Sequence, residues 1–273
     1  MERRLAVVAR FVVIACLAGH AAASDLFGVS LPPNNPSLLY SVNQSSGQVT
    51  TVGTTAFSDV TDLTSNPLTG TIWGVDVTTR QLLVINPHTG AASAVTTLDS
   101  AEAIASIAFD PVTGGLFGNT AVEFGPSSDT LYQIDPLTGH TTAIGSIGKA
   151  SVFALAFDQH GVLFGVSNGT HELITISTAT GMATHAVPID ALKAFDIASR
   201  PEDNTMFLAD TASATLYTLN TSTGATLAVG PYGPLSPNIA GLAFTSEAPE
   251  ASTYVTAMVG LGLVVVLRRR RSR

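Results

Sequence analysis

One phrase returns five times along this chain, and its period restricts what the chain can fold into. LLYSVNQSSG (38–47), QLLVINPHTG (81–90), TLYQIDPLTG (130–139), ELITISTATG (172–181) and TLYTLNTSTG (215–224) end in glycines spaced by 43, 49, 42 and 43 residues. Each copy alternates apolar and polar residues, the period of a half-buried strand, and then enters a turn. Asn43, Asn86, Asp135 and Asn220 open four of the turns and Ser177 opens the other. Gly47, Gly90, Gly139, Gly181 and Gly224 supply the positive φ that closes them. A further strand follows each turn, as in QVTTVG, HTTAIG and ATLAVG, so the phrase is a hairpin.

A second pair of strands precedes each hairpin. DLTSNPLTGTIWG (62–74), SIAFDPVTGGLFG (106–118), ALAFDQHGVLFG (154–165) and DIASRPEDNTMFL (196–208) align almost without gaps, each as strand, Pro/Gly/Asp turn and strand. Four short strands in about 43 residues, without helical periodicity, are the pattern of a propeller blade. The two ends of the repeat region are offset from this unit. DLFGVS (25–30) matches the second strand LFGVS (163–167), and IAGLAF (239–244) matches the first strand, SIAF or ALAF. The expected fold is therefore all-β, a five-bladed β-propeller of four-stranded blades whose first blade is closed by both chain ends. Closure of that kind removes exposed sheet edges. A β-solenoid or a paired sandwich would carry the repeat but leaves the offset unexplained.

The flanks read as targeting segments, so the expected domains are 1–24, 25–246 and 247–273. Arg3, Arg4 and Arg10 precede an apolar run at 11–19, and Ala21, Ala22 and Ala23 form a small-residue cleavage site for signal peptidase. That run falls short of the roughly 20 residues a bilayer span requires. VIAC (13–16) also resembles a lipoprotein signal, with Cys16 as the lipidated residue, although Cys16 lies inside the apolar stretch. At the other end Pro249 and Glu250 precede an apolar segment at 254–267, followed by Arg268, Arg269, Arg270 and Arg271. A short apolar segment before a basic cluster stalls in the inner membrane with its arginines on the cytoplasmic side. Its 14 residues reach about 21 Å as a helix, less than a bilayer core of roughly 30 Å. Such a segment suits a temporary hold more than a permanent anchor, though an ordinary C-terminal anchor has the same outline. The tail resembles the PEP-CTERM signals read by exosortases, with Ala251 where the family carries a second proline. The resemblance implies an exported bacterial protein, an exosortase-like sorting protease as partner, and association with exopolysaccharide or the cell envelope.

Between Asp25 and Glu247 stand four cations, Arg80, Lys149, Lys193 and Arg200, against eighteen carboxylates, a net charge near −14. Such a domain repels phosphate backbones, and nucleic acid is not an expected partner. Cys16, the chain's one cysteine, lies in the signal segment, so a core rather than disulfides must hold the domain.

In a propeller the first strand of each blade lines the central channel. One column of that strand reads Asp62, Ser106, Ala154, Asp196 and Gly241, beside an apolar column of Leu63, Ile107, Leu155, Ile197 and Leu242. A column at the end of the second strand reads Ser30, Asp76, Thr120, Ser167 and Asp210. Asp62, Asp196, Asp76 and Asp210 are the candidate ligand-binding carboxylates. Ca²⁺, which takes several oxygen ligands, is the one cofactor they would suit, although no DxDxDG motif accompanies them. The plain alternative is that they are solvated channel residues or cap nearby backbone groups. Among the histidines, His88, His140 and His160 fall in turns of the opposite face, His185 in an outer strand, and His171 alone near the candidate face. They do not cluster as metal ligands or a catalytic base would, and no GxSxG elbow occurs, so no catalytic residue is assigned. Longer loops at 31–37, 121–129 and 231–238 offer Phe124 and Tyr232 as stacking faces among Asn and Ser, a mix that suits a polar ligand such as a sugar. The leading expectation is a non-catalytic surface or matrix binding protein. The competing one is a metal-dependent hydrolase or lactonase at the channel mouth, and a plain structural spacer is the third.

Overall fold

The computed structural model describes residues 24–31, 36–121, 128–190, 193–235 and 237–245. Residues 1–23 of the signal segment, Phe124, and the tail with Pro249, Glu250, Arg268, Arg269, Arg270 and Arg271 lie outside the described residues. Twenty strands form five antiparallel four-stranded sheets, and no helix occurs among the described residues.

Blade 1 pairs β20 (Ile239–Phe244), β1 (Leu26–Ser30), β2 (Leu38–Val42) and β3 (Val49–Thr54). Blade 2 runs β4 (Val60–Ser65), β5 (Ile72–Asp76), β6 (Gln81–Ile85) and β7 (Ala92–Thr97), and blade 3 runs β8 (Ser106–Phe109), β9 (Leu116–Asn119), β10 (Thr130–Ile134) and β11 (Thr141–Ser146). Blade 4 holds β12 (Val152–Phe157), β13 (Leu163–Ser167), β14 (Glu172–Ile176) and β15 (Ala183–Pro188), and blade 5 holds β16 (Ala194–Ser199), β17 (Met206–Asp210), β18 (Thr215–Leu219) and β19 (Thr226–Pro231). The inner strands touch in the circular order β20, β4, β8, β12, β16 and back to β20, which closes a five-bladed ring. Blade 1 is sealed by the two chain ends, with Leu26 opposite Phe244 and Gly28 opposite Leu242.

Burial follows the alternation of the sequence. Second strands such as LFGVS are buried throughout, third strands on one side, and fourth strands are half-buried or exposed. The five core clusters each bridge two neighbouring blades, so burial of apolar area holds the blades to one another. At the rim the repeated glycines do more than close a turn. Gly90 has φ +77°, and a Cβ there would stand 2.6 Å from the carbonyl carbon of Gly53 on the preceding blade. Gly47, Gly139, Gly181 and Gly224 abut the fourth strand of the preceding blade in the same way.

Candidate functional site

Asp62 and Asp196 sit one on each side of Gly241 in the ring, on blades 2 and 5. Gly241 contributes no side chain at that level, and blade 1 packs so closely that a Cβ on it would lie 2.8 Å from the Asp62 Cα. The two carboxyl groups meet through the gap and hydrogen-bond to each other, wholly buried. Each also accepts backbone N–H groups. Asp62 takes the amides of Leu63 at 2.6 Å and of Ile107, on blade 3, at 2.7 Å. Asp196 takes that of Ile197 at 2.7 Å and that of Leu242, on blade 1. Burial holds both carboxyls well above the ordinary carboxylate range, and for Asp196 the nearby Asp62 adds to the rise. Two carboxyls this close retain a shared proton. In the same column Ser106 Oγ donates to the Phe153 carbonyl at 2.6 Å, joining blade 3 to blade 4.

The solvated-channel alternative for this column is thereby corrected. These side chains stitch blade to blade and block the channel, because a buried carboxyl is stable only when protonated or hydrogen-bonded. The second column has a different task, repeated on every blade. Asp76 caps its loop through the amides of Thr79 at 2.7 Å and Asp59 at 3.0 Å, and Asp210 through those of Ala212, Ser213 and Lys193. Ser30, Thr120 and Ser167 accept the corresponding amides of Leu38, Thr130 and Thr170. Among the described residues no three His, Cys, Asp or Glu side chains gather as a metal site. The four candidate carboxylates therefore form no common donor set, and their oxygens are already engaged by backbone amides.

Tyr232 is also corrected. It is 1% exposed, packed with Leu26, Tyr40, Phe207 and Ile239, and presents no face for stacking. Its backbone pins the crossing from blade 5 to blade 1, with its N–H donating to Ala214 and its carbonyl accepting from Val49. Burial pushes its phenol far above the ordinary range. His171 stands just before β14 with φ +53°, and His185 lies on the outer strand β15.

The repeat alignment passed over the column one residue earlier. Pairing of β4 with β5 skips Thr61, that of β12 with β13 skips Phe153, and that of β16 with β17 skips Phe195. A bulge of this kind re-aims the extra side chain. Thr61, Phe153 and Phe195, with Ala105 from the equivalent place before β8, line a mouth of about 480 Å³ together with Leu31, Lys193, Thr211, Ala212 and Asn238. The opposite mouth holds a cavity of about 180 Å³ with an apolar wall that includes Phe109, Phe157, Phe244 and Pro201. A signal for the bulge stands in the sequence. The buried columns headed by Val60 and Leu63 lie three residues apart, where an unbroken strand facing one core would space them evenly.

No protein-family model matches the chain, and no curated protein matches it. Among solved structures 1103 chains match, so the architecture is widely shared and does not by itself select a function. One of them, a chain of the nidogen/laminin complex, aligns with a TM-score of 0.57 and 11% identity over 82% of this chain and 98% of its own length. At that identity the likeness bears on fold alone.

Proposed function

We propose that this propeller is the binding domain of an exported, non-catalytic bacterial surface protein whose partner is extracellular polysaccharide. The observation that carries the reading is the placement of the chain ends against the open mouth. Asp25 and Thr245 are hydrogen-bonded to each other, with Thr245 N–H donating to the Asp25 carbonyl at 2.9 Å. They leave the ring beside Phe244, at the apolar mouth, while the mouth lined by Phe153, Phe195 and Lys193 is, among the described residues, open at the other end. A domain tethered through residues 247–273 would turn that open mouth away from its attachment. The channel carboxylates are taken up by blade joints, which favours binding over hydrolysis. Signal peptidase and an exosortase-like protease are the processing partners in this reading, with the inner membrane a temporary holding place.

The test is to express the full chain with an internal epitope tag in an exporting bacterium and follow it through fractionation. The expected result is a surface fraction that is released when the extracellular polysaccharide is depolymerised. Retention in the cytoplasm, or a surface fraction indifferent to depolymerisation, would sink the reading. The nidogen/laminin likeness makes protein partners the comparison arm, read by protease treatment of the same surface.

A further inference from the structure

We propose that the open mouth is a blind pocket for a single carboxylate-bearing sugar unit, the end or a side branch of an acidic polysaccharide. This deepens the binding-module reading and rests on it.

The pocket is lopsided. Phe153 and Phe195 come from neighbouring blades with ring centroids 5.2 Å apart and planes tilted by 40°, so that the half-buried Phe153 ring, backed by Phe195 at 9% exposure, forms an aromatic wall. Across the ring stand the small side chains of Thr61 and Ala105, and the Thr61 hydroxyl donates to the Ala105 carbonyl at 2.8 Å. A slot with one aromatic wall and one small-residue wall admits a flat ring. The face of a Phe ring is the negative end of its quadrupole, so it attracts the polarised C–H bonds on the apolar face of a pyranose. Asn238 and Thr211 at the rim offer hydrogen bonds to hydroxyl groups. A space of about 480 Å³ falls within the usual range for small ligands.

Lys193 sets the charge of the ligand. Of the domain's four cations, Lys149 pairs with Glu172 and Arg200 with Asp203, whereas Arg80 and Lys193 make no ion pair among the described residues, and of these two Lys193 lines the mouth. Its ammonium lies 5.0 Å from the centre of the Phe195 ring, on the aromatic wall. A carboxylate on a sugar stacked there meets this one positive charge. The surrounding domain, with eighteen carboxylates, repels a long polyanion laid across it. Depth excludes threading as well, because one residue further along β4 and β16 the Asp62 and Asp196 carboxyls block the channel. A chain end or a short branch satisfies all of these conditions.

The experiment titrates the full chain, in mild detergent, with a trisaccharide of hexuronate units and with its carboxyl-reduced neutral counterpart. The hexuronate is expected to bind more tightly than the neutral sugar. Phe153→Leu and Phe195→Leu, which keep apolar bulk, should each weaken both probes roughly fivefold to tenfold, with melting temperature as the control for folding. Lys193→Gln should abolish the preference, bringing the hexuronate down to the affinity of the neutral sugar for the same variant. Unaltered affinity in both Leu variants would put the ligand elsewhere and overturn this inference while the binding-module reading stands. Equal affinity of the unmodified chain for the two probes, or no binding of either, also overturns it. The depolymerisation experiment then decides separately whether the wider reading falls.

Discussion

At the scale of single residues, Asp62 and Asp196 determine how the protein responds to pH. Their folded pKa values are raised by burial above the unfolded value of roughly 4. Above that pH the unfolded chain gives up protons that the folded ring keeps, so stability falls as pH rises through neutrality toward the folded values. The slope is about 1.4 kcal/mol per pH unit for each proton retained. The carboxylates of Asp99, Glu172 and Asp203 are held below the ordinary range by their partners, so their contributions are in place above about pH 4 and are lost in acid. They do not offset the alkaline slope. Urea unfolding at pH 5 and pH 8 is expected to show lower stability at pH 8. Asp62→Asn carries no titrating proton and lets an amide donate to Asp196. It cannot accept both amides, and the orphaned N–H costs about 1–3 kcal/mol at pH 5. The variant should be weaker in acid and flatter toward alkali; an unchanged slope would show that other groups carry the pH dependence.

At the scale of the element, the hairpins were legible down to the turn residue, and the inner strands were not. Asn43, Asn86, Asp135 and Asn220 each accept amides two and three residues ahead, as their residue type demands. Ser177 makes the same backbone turn, with Gly181 donating to its carbonyl at 2.8 Å, but its hydroxyl oxygen accepts from neither of the corresponding amides. Ser177→Asn should add the missing side-chain bonds and stabilise the protein by about 0.5–1 kcal/mol, read as a higher urea midpoint at unchanged m-value. No gain would mean that this turn differs from its four siblings. The inner strands hid their function because a bulge breaks the period that strand patterns rely on. Alignment could see Asp62 and Asp196 as a column of charge. It could not see that Gly241 between them allows contact, or that Phe153 and Phe195, one residue earlier, are the side chains facing the mouth. Tyr232 was misplaced for a related reason: a Pro/Gly-rich segment reads as surface, yet its tyrosine fills the joint between blades 5 and 1.

At the scale of the whole molecule, the decisive feature is a ring whose last strand completes its first blade. Ile239, Leu242 and Phe244 on β20 are all buried, and their loss, at about 2–5 kcal/mol for each large side chain, approaches a domain's whole stability of roughly 5–15 kcal/mol. A chain ending at Leu235 would also leave open strand edges, so it is expected to lose cooperative melting and to aggregate. The same geometry predicts a rescue. Thr245 and Asp25 are already hydrogen-bonded, so a turn of about 2–4 residues can join them into a hairpin. A permutant that starts at Pro237, runs through β20, crosses that turn to Asp25 and ends at Leu235 keeps every strand pair. It opens the chain at an exposed turn, where Leu235 is 58% accessible. It is expected to melt cooperatively, within a few degrees of a chain of the same residues in natural order, while the truncated chain does not. If both chains fail alike, closure depends on the order in which the blades form as well as on the contacts β20 makes. Cooperative melting of the permutant alone would mean that pairing of the two ends holds the ring closed, wherever the chain begins.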